Sequence, residues 1–283
     1  MIKNDTKKLI SAVDRLITKS GDLVNRHGFE STPGSISETE LKTFERPLSL
    51  KTAYSQGHTF VEVAGDQLMA FARTLTEPIQ TVAPFSCARS VLESGALSHW
   101  LLDNNISAHE RVGRSLAFRF EGMVQQKKMA NSSRTKNNLG TIDRQTQNII
   151  DTAHELGYEV FRNKDKVVGV GSRMPSITNL TKTMLDKEFD YRLLSAVTHA
   201  HHFALVQTSF AKYQDDANDP EVVLFEKSLD PRFLLYLCKL TTDIFINAIT
   251  DLTKLHGTFH SDYEHLFKST SKEVESYYRK INR

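Results

Sequence analysis

The chain has 283 residues, of which 39% are hydrophobic and 25% are charged, and its formal net charge at pH 7 is +2. These values are ordinary for a globular protein with a sizeable core, and they exclude a strongly basic nucleic-acid-binding protein, so any contact with RNA requires a local patch. Cys87 and Cys238 are the only cysteines, and both lie in apolar helical patterns, which predicts buried thiols rather than a disulfide framework.

The first 55 residues are predicted to form one amphipathic helix and a linker. Leucine, isoleucine and valine recur every three or four residues between positions 5 and 26, which indicates a helix. Residues 28–55 are rich in Ser, Thr, Pro and Gly, and we expect a flexible linker there. The whole chain is expected to form a single helical domain, whose core follows the linker at about 56–283. The N-terminus lacks the apolar segment of a signal peptide, and no window approaches the roughly 18 uncharged apolar residues of a membrane span, so we expect a cytoplasmic protein without a membrane partner.

Three helices are predicted next, over 57–76, 82–103 and 107–130. In the second, Arg89 and Glu93 stand one turn apart beside the small residues of segment 94–98, which suit close approach by a neighbouring helix. We expect Glu93 to lie within salt-bridge reach of Arg89 or Arg192. An unpaired buried carboxylate would destabilise the fold by roughly several kcal/mol. The alternative is that Arg89 and Glu93 form only an intrahelical ion pair, which would stabilise the helix by roughly a few tenths of a kcal/mol.

A basic stretch follows the third of these helices. It contains Lys127, Lys128, Arg134 and Lys136, which are candidate contacts to the phosphates of a nucleic acid. The alternative is a solvated helix end and loop, since cations favour the C-termini of helices.

The remaining elements are mostly helical. A helix over 142–156 is followed by two short β-patterned segments, 158–162 and 166–170, which predict a hairpin. Helices are then expected over 176–187, 191–213, 230–256 and 261–280, with an acidic loop at 215–220 that does not match a calcium-binding loop. The predicted class is mainly α: a multi-helix up-and-down bundle with one small β-hairpin near 158–170.

The helix predicted to begin at Tyr191 carries the candidate chemistry. Arg192, Ser195, His199 and His202 are separated by three, four and three residues, which places them on one face of a continuous helix. Arg192 and His199 would be about 10.5 Å apart along the axis, so that a phosphate could lie between them. Imidazole suits general acid–base catalysis near neutral pH, and a guanidinium binds phosphate bidentately.

Two other interpretations of this stripe stay open. Buried Arg, Ser and His side chains between helices often satisfy one another and a nearby carboxylate, here Glu93. His199 and His202 could also ligate a metal ion, but the sequence has no His-Glu-x-x-His pattern or paired aspartate beside them, and we predict no metal site and no cofactor.

Arg192 and His199, with Ser195 between them, resemble the Arg-x(4–6)-His motif of HEPN-domain ribonucleases. The resemblance implies a HEPN-like helical core, metal-independent cleavage of RNA to a 2′,3′-cyclic phosphate, and a homodimer that juxtaposes two motifs. It also implies a toxin–antitoxin or anti-phage setting, with an antitoxin or another defence-system protein as partner. Arg192, His199 and Ser195 would be catalytic, and we expect four residues to support them: Arg89, Glu93, Tyr191 and His202.

A second resemblance covers about residues 55–215. Segments 63–68, 89–93, 100–103, 191–195 and 199–200 are similar to a family of uncharacterised bacterial helical proteins, and this likeness names no activity. The alternative function is therefore a non-catalytic helical protein that binds a partner or a small ligand, with the Arg/Ser/His stripe structural.

Overall fold

The computed structural model describes residues 2–27, 30–132, 138–215 and 223–281. These residues form eleven helices and two antiparallel strand pairs, which confirms the mainly α class. The elements are α1 Ile2–His27, α2 Ile36–Thr43, α3 Pro47–Thr74, α4 Ala83–Leu102, α5 Ala108–Ser132, α6 Leu139–Glu155, β1 Val160–Asn163, β2 Lys166–Val170, α7 Ile177–Leu185, α8 Glu188–Thr198, α9 His202–Thr208, β3 Phe210–Asp215, β4 Val223–Lys227, α10 Pro231–His256 and α11 Ser261–Ile281.

Helices α3, α4 and α10 form the centre of the bundle, and glycines allow their close contact. A Cβ atom on Gly95 of α4 would lie 2.2 Å from Cγ2 of Ile244 on α10, so only glycine permits this separation. A Cβ atom on Gly57, in the first half of α3, would lie 2.4 Å from Cδ2 of Leu102 at the end of α4. The expectation that the small residues of segment 94–98 allow a helix to approach closely is confirmed.

Helix α1 matches its prediction. Its apolar face is buried, with Leu9, Val13 and Leu16 each at most 1% exposed. An ion pair of 2.5 Å between Arg15 and Glu273 joins it to α11. The period of three and four residues therefore identified both the helix and its buried side.

The flexible linker expected at 28–55 is contradicted over residues 30–55, while 28 and 29 lie outside the described residues. Helix α2 begins where Ser35 Oγ accepts a hydrogen bond from the backbone N–H of Glu38, at 3.1 Å. Helix α3 begins at Pro47, a residue that favours the first helical position. Ser37 and Glu40 of α2 are buried, so this segment belongs to the core. Its polar composition reflected helix caps rather than a lack of structure.

The helix expected over 191–213 is also contradicted, because α8 ends at Thr198. Ala200 adopts a left-handed conformation with φ 56°. The N–H of Ala200 donates to the carbonyl of Val197 (3.0 Å), and the N–H of His201 donates to that of Ala196 (2.9 Å). This pair of bonds is a Schellman turn, which usually carries glycine where this chain has Ala200. Because the glycine that usually marks a helix end is missing here, the end of α8 could not be predicted from the sequence.

The predicted hairpin near 158–170 is confirmed as β1 and β2, which pair antiparallel. A second hairpin, β3 and β4, pairs Phe210 with Lys227 and is irregular between Lys212 and Gln214. It was missed because most of β3 fell inside the helix expected over 191–213. Residues 216–220 of the acidic loop expected at 215–220 lie outside the described residues.

In the described part of the chain, α10 is the one helix long and apolar enough to cross a membrane by length and composition. Of its most apolar 18-residue window, 61% is buried inside the protein. This burial is typical of the core helix of a soluble protein. Cys238 on this helix is a buried free thiol, and burial raises its pKa to about 12.

Candidate active site

The contact between α4 and α8 brings an arginine and a histidine together, but the arginine is Arg89. Its Nη1 lies 3.2 Å from Nε2 of His199. A guanidinium only donates hydrogen bonds, so Nε2 must accept, and the imidazole proton then sits on Nδ1. The pair is accessible from outside, because His199 is exposed at the end of α8.

Glu93 and Tyr191 hold the Arg89 side chain. Arg89 Nε donates to Glu93 Oε1 at 2.8 Å, which confirms that Glu93 lies within salt-bridge reach of Arg89. The two residues stand one turn apart on α4, so this bond is the intrahelical ion pair that was expected as the alternative. The guanidinium carbon stands 5.5 Å from the centre of the Tyr191 ring. Burial alone would lower the pKa of Arg89, but Glu93 and Tyr191 outweigh it and raise that pKa above the ordinary value. The guanidinium is therefore a fixed positive charge beside the imidazole.

Arg192 lies apart from this group. Its side chain is 65% exposed and donates to Glu188 Oε1 from Nε (3.0 Å) and from Nη2 (2.8 Å). Hydrogen bonds from Arg192 and then from Lys182 lower the pKa of Glu188, so the carboxylate stays ionised. Seven residues span about 20° less than two full turns, so Arg192 and His199 still share a face of α8. Arg192, however, extends toward the start of the helix and His199 toward α4.

Ser195 and His202 complete the predicted stripe only in part. Ser195 is half-buried in the middle of α8. His202 begins α9, beyond the turn at Ala200, and its ring meets the edge of Phe225 on β4 at 6.5 Å. The expectation of one continuous stripe is therefore wrong for His202, because the chain changes direction at Ala200. The structure joins Arg89, Glu93, Tyr191 and His199.

Of the four residues expected to contact nucleic acid, two lie in the part of the chain that the structure describes. Lys127 is about half exposed and forms an ion pair of 2.7 Å with Asp143 of α6. Lys128 is exposed near the end of α5. Arg134 and Lys136 lie outside the described residues.

A buried polar network around Arg111 was not anticipated. Arg111 is 0% exposed, and its Nε and Nη2 each donate to one oxygen of Glu40 at 3.1 Å. Its Nη1 donates to the carbonyl of Leu101 at 2.6 Å. Tyr54 donates its hydroxyl proton to Glu40 at 2.5 Å. In the sequence Arg111 is one of three arginines on a mostly polar helix. The only indication that its side chain is buried is that Val112 and Leu116 lie on the same side of this helix.

This network borders a cavity of about 410 Å³ that His58 and His256 line together with Tyr54. Burial, followed by the charges of His58 and Arg111, lowers the pKa of His256 to about 4, so its imidazole is neutral at pH 7. Nδ1 of His256 lies 3.1 Å from Oγ of the buried Ser37. A small polar molecule in this cavity could therefore contact a neutral imidazole.

Among the described residues, no group of three or more His, Cys, Asp or Glu side chains is placed to hold a metal ion. His199 caps the end of α8 and His202 begins α9, so these two candidate ligands lie on opposite sides of the turn at Ala200.

No protein-family model, no curated protein and no solved structure matches this chain. The likeness to HEPN ribonucleases therefore rests on the motif residues alone.

Proposed function

We propose that the chain is a metal-independent endoribonuclease in which His199 is the acid–base group. The observation that carries this proposal is the 3.2 Å contact between the guanidinium of Arg89 and Nε2 of the exposed His199. A fixed cation beside a titratable group is what in-line attack of a 2′-hydroxyl on phosphorus requires when no metal takes part.

The chemistry assigns a task to each group. A phosphate of the RNA competes for the N–H groups of Arg89 and releases Nε2 of His199. That nitrogen takes the proton of the 2′-hydroxyl as the 2′-oxygen bonds to phosphorus and the bond from phosphorus to the 5′-oxygen breaks. Water supplies the proton of the leaving oxygen, and a 2′,3′-cyclic phosphate remains. Arg89, held by Glu93, stabilises the charge that develops on the phosphate oxygens.

Arg192 and Ser195 act on the neighbouring phosphate in this proposal. The side chain of Arg192 is 65% exposed and can leave Glu188 for a phosphate without a large loss, since exposed ion pairs are worth about 0–1 kcal/mol. Lys127 and Lys128 extend the contact to the RNA backbone. By the HEPN resemblance the enzyme works as a homodimer in the cytoplasm, under control of an antitoxin or another defence-system protein.

The test is incubation of the purified chain with transfer RNA and total RNA, with and without EDTA, followed by analysis of the product ends. His199→Ala should reduce cleavage by about 10²–10⁴-fold, the usual contribution of a general acid or base. Arg89→Ala should cost about 10²–10³-fold, as loss of one transition-state donor does. Arg192→Ala should weaken the binding of RNA and raise the KM, and Arg192→Lys should restore binding only in part, because a point charge cannot reproduce the bidentate contact of a guanidinium with phosphate.

Two matched controls separate chemistry from general charge effects. His201→Ala removes an exposed imidazole two residues away, and Arg279→Ala removes an exposed arginine that pairs with a glutamate four residues earlier, as Arg192 does. Both should cleave RNA at the wild-type rate. Equal cleavage by wild type and His199→Ala, or activity that needs an added divalent metal, would overturn the proposal.

A second candidate function, binding of a partner without catalysis, is favoured by exposed aromatic side chains around the same helix. Phe189 on α8 is 75% exposed, Phe203 on α9 60%, and Tyr213 on β3 63%. Here the Arg89 cluster would only join α4 to α8. The wild type would then leave RNA intact, and Arg89→Ala would lower the melting temperature.

A further inference from the structure

A groove between α10, the end of α4 and the junction of α7 with α8 lies away from the proposed ribonuclease site. Its volume is about 490 Å³, within the range of sites that bind small organic molecules. Lys187, which immediately precedes α8, lines it. His199 follows the other end of α8, so the two sites lie at opposite ends of this helix.

Helix α10 contributes a polar stripe to the groove. Lys239, Asp243, Asn247 and Asp251 recur every four residues, so they form a stripe that turns by about 40° at each step, and Lys254 extends it. The other faces of α10 are largely buried in the core. Lys239 Nζ lies 2.6 Å from Asp243, with both side chains almost half exposed. These charges face the groove.

His99 of α4 closes the groove from the other side. Its Nδ1 lies 2.5 Å from Oδ2 of Asp251, whose side chain is only 16% exposed. This bond fixes the ring and leaves Nε2 as the nitrogen that a ligand can meet. The hydrogen bond to Asp251 raises the pKa of His99 against the effect of burial, Asp103 also raises it, and Arg114 of α5 lowers it. His99 is therefore protonated over a wider pH range than a solvent-exposed histidine.

The lining has more positive than negative groups. Three lysines, joined by His99 when its imidazole is protonated, face two aspartates. Asp190, which lies 3.7 Å from Lys187, is buried beneath the wall with 9% of its side chain exposed. The aliphatic side chains that complete the lining offer an apolar surface beside these charges: Met184, Leu185, Leu240 and Ile244.

We propose that this groove binds the phosphate group of a small molecule, with Lys239, Lys254 and His99 as the groups that contact it. Lysines supply strong donors to phosphate oxygens, and a protonated imidazole held by a carboxylate adds a directed one. The ligand is a free pyrophosphate or an organic phosphate of mononucleotide size, whose ring would rest on the apolar part of the groove.

Isothermal titration of the full chain with AMP, with pyrophosphate and with adenosine tests this site and identifies the source of the phosphate. AMP or pyrophosphate should bind with saturation, and adenosine should not. The advantage of the wild type over His99→Gln should shrink as the pH rises, because the charge-assisted bond from protonated His99 is lost when the imidazole loses its proton. Comparison of the two proteins at each pH removes the titration of the ligand phosphate, whose second pKa is about 6. The double variant Lys239→Gln/Lys254→Gln and the single variant His99→Gln should each weaken binding about tenfold or more, as expected for loss of a hydrogen bond to a charged group.

Lys268→Gln is the matched control, because Lys268 pairs with a carboxylate one helical turn away, as Lys239 does, but lies on α11. It should bind as the wild type does, and so should His199→Ala, since the groove does not use the ribonuclease residues. The proposal is overturned if neither AMP nor pyrophosphate binds, if the lysine double variant binds as tightly as the wild type, or if the advantage of the wild type over His99→Gln grows as the pH rises.

Discussion

Arg111 is the described side chain whose loss the fold should tolerate least. It is fully buried and bonded to both oxygens of Glu40, so its removal leaves a carboxylate in the core without a counter-charge. Breaking one side of such a pair typically costs about 3–5 kcal/mol. We expect Arg111→Met to lower the free energy of unfolding by that amount in urea.

The control for this prediction is the exposed pair of Lys127 and Asp143, whose side chains are 52% and 56% exposed. Lys127→Ala should change the free energy of unfolding by less than about 1 kcal/mol. The added change Glu40→Gln should recover part of the loss in Arg111→Met, because a neutral amide is cheaper to bury alone than a carboxylate. Equal stability of Arg111→Met and the wild type would contradict the buried pair.

His256 should make stability depend on pH. Burial holds its pKa at about 4 in the folded chain, below the value of 6.5 for an exposed histidine. Between these values the unfolded chain binds a proton that the folded chain does not, so stability is full above about pH 6.5 and is lost as the pH falls toward 4. The contribution lost between about pH 7 and pH 5 is about 2 kcal/mol, at roughly 1.4 kcal/mol per pKa unit.

Urea unfolding at these two pH values checks the sign. In His256→Gln the stability should fall less on acidification than in the wild type, by about the same 2 kcal/mol. Comparison with the variant removes the contribution of the carboxylates, which both proteins share. A steeper fall in His256→Gln would refute the assigned direction.

Among the helices and strands, the turn at Ala200 decides where the chemistry lies. By ending α8 it separates His202 from His199 and directs the chain into α9 and β3. An L-residue in the left-handed region costs about 1–2 kcal/mol, which glycine avoids. We therefore expect Ala200→Gly to raise the free energy of unfolding by roughly 1 kcal/mol.

The matched change is Ala196→Gly, which places glycine inside α8. It should lower the free energy of unfolding by about 1 kcal/mol, since glycine is a poor residue for a helix interior. Opposite signs for the same exchange four residues apart would locate the helix end at Thr198. Destabilisation by both variants would favour a helix that continues through residue 200.

The same turn marks the limit of prediction from this sequence. The period of three and four residues identified α1, and the β-patterned segments 158–162 and 166–170 identified the first hairpin. These patterns report local packing, which one sequence contains. A Schellman turn made with alanine, and a β3 strand inside an apparently helical stretch, depend on tertiary contacts that the local pattern does not encode.

At the scale of the whole molecule, the prediction concerns assembly. The exposed aromatic side chains Phe189, Phe203 and Phe225 lie on α8, α9 and β4. Large exposed apolar groups often mark protein interfaces, and the HEPN resemblance implies a two-fold dimer. Light scattering should therefore give twice the chain mass of 32.1 kDa. Phe203→Glu should shift the protein toward the monomer, whereas a wild-type mass of 32.1 kDa at micromolar concentration would exclude the dimer.

The candidate site could be predicted only in part for a related reason. Arg89, Glu93, Tyr191 and His199 were each identified, and the contact of Glu93 with Arg89 is confirmed. That Arg89 rather than Arg192 reaches His199 follows from how α4 packs on α8, over a separation of 110 residues. The partner of Arg111 is equally remote in sequence, 71 residues away, and lies in the segment that composition suggested was a linker.

The position of Glu40 means that the chain cannot be trimmed at its polar N-terminal segment. A shortened protein that began at residue 56 would retain Arg111 and lose the carboxylate that neutralises it, together with the hydroxyl of Tyr54. The first 55 residues thus supply the carboxylate that neutralises the buried arginine of the bundle. Separate expression of the two parts should yield an insoluble larger fragment, and mixing in the N-terminal fragment during refolding should recover it.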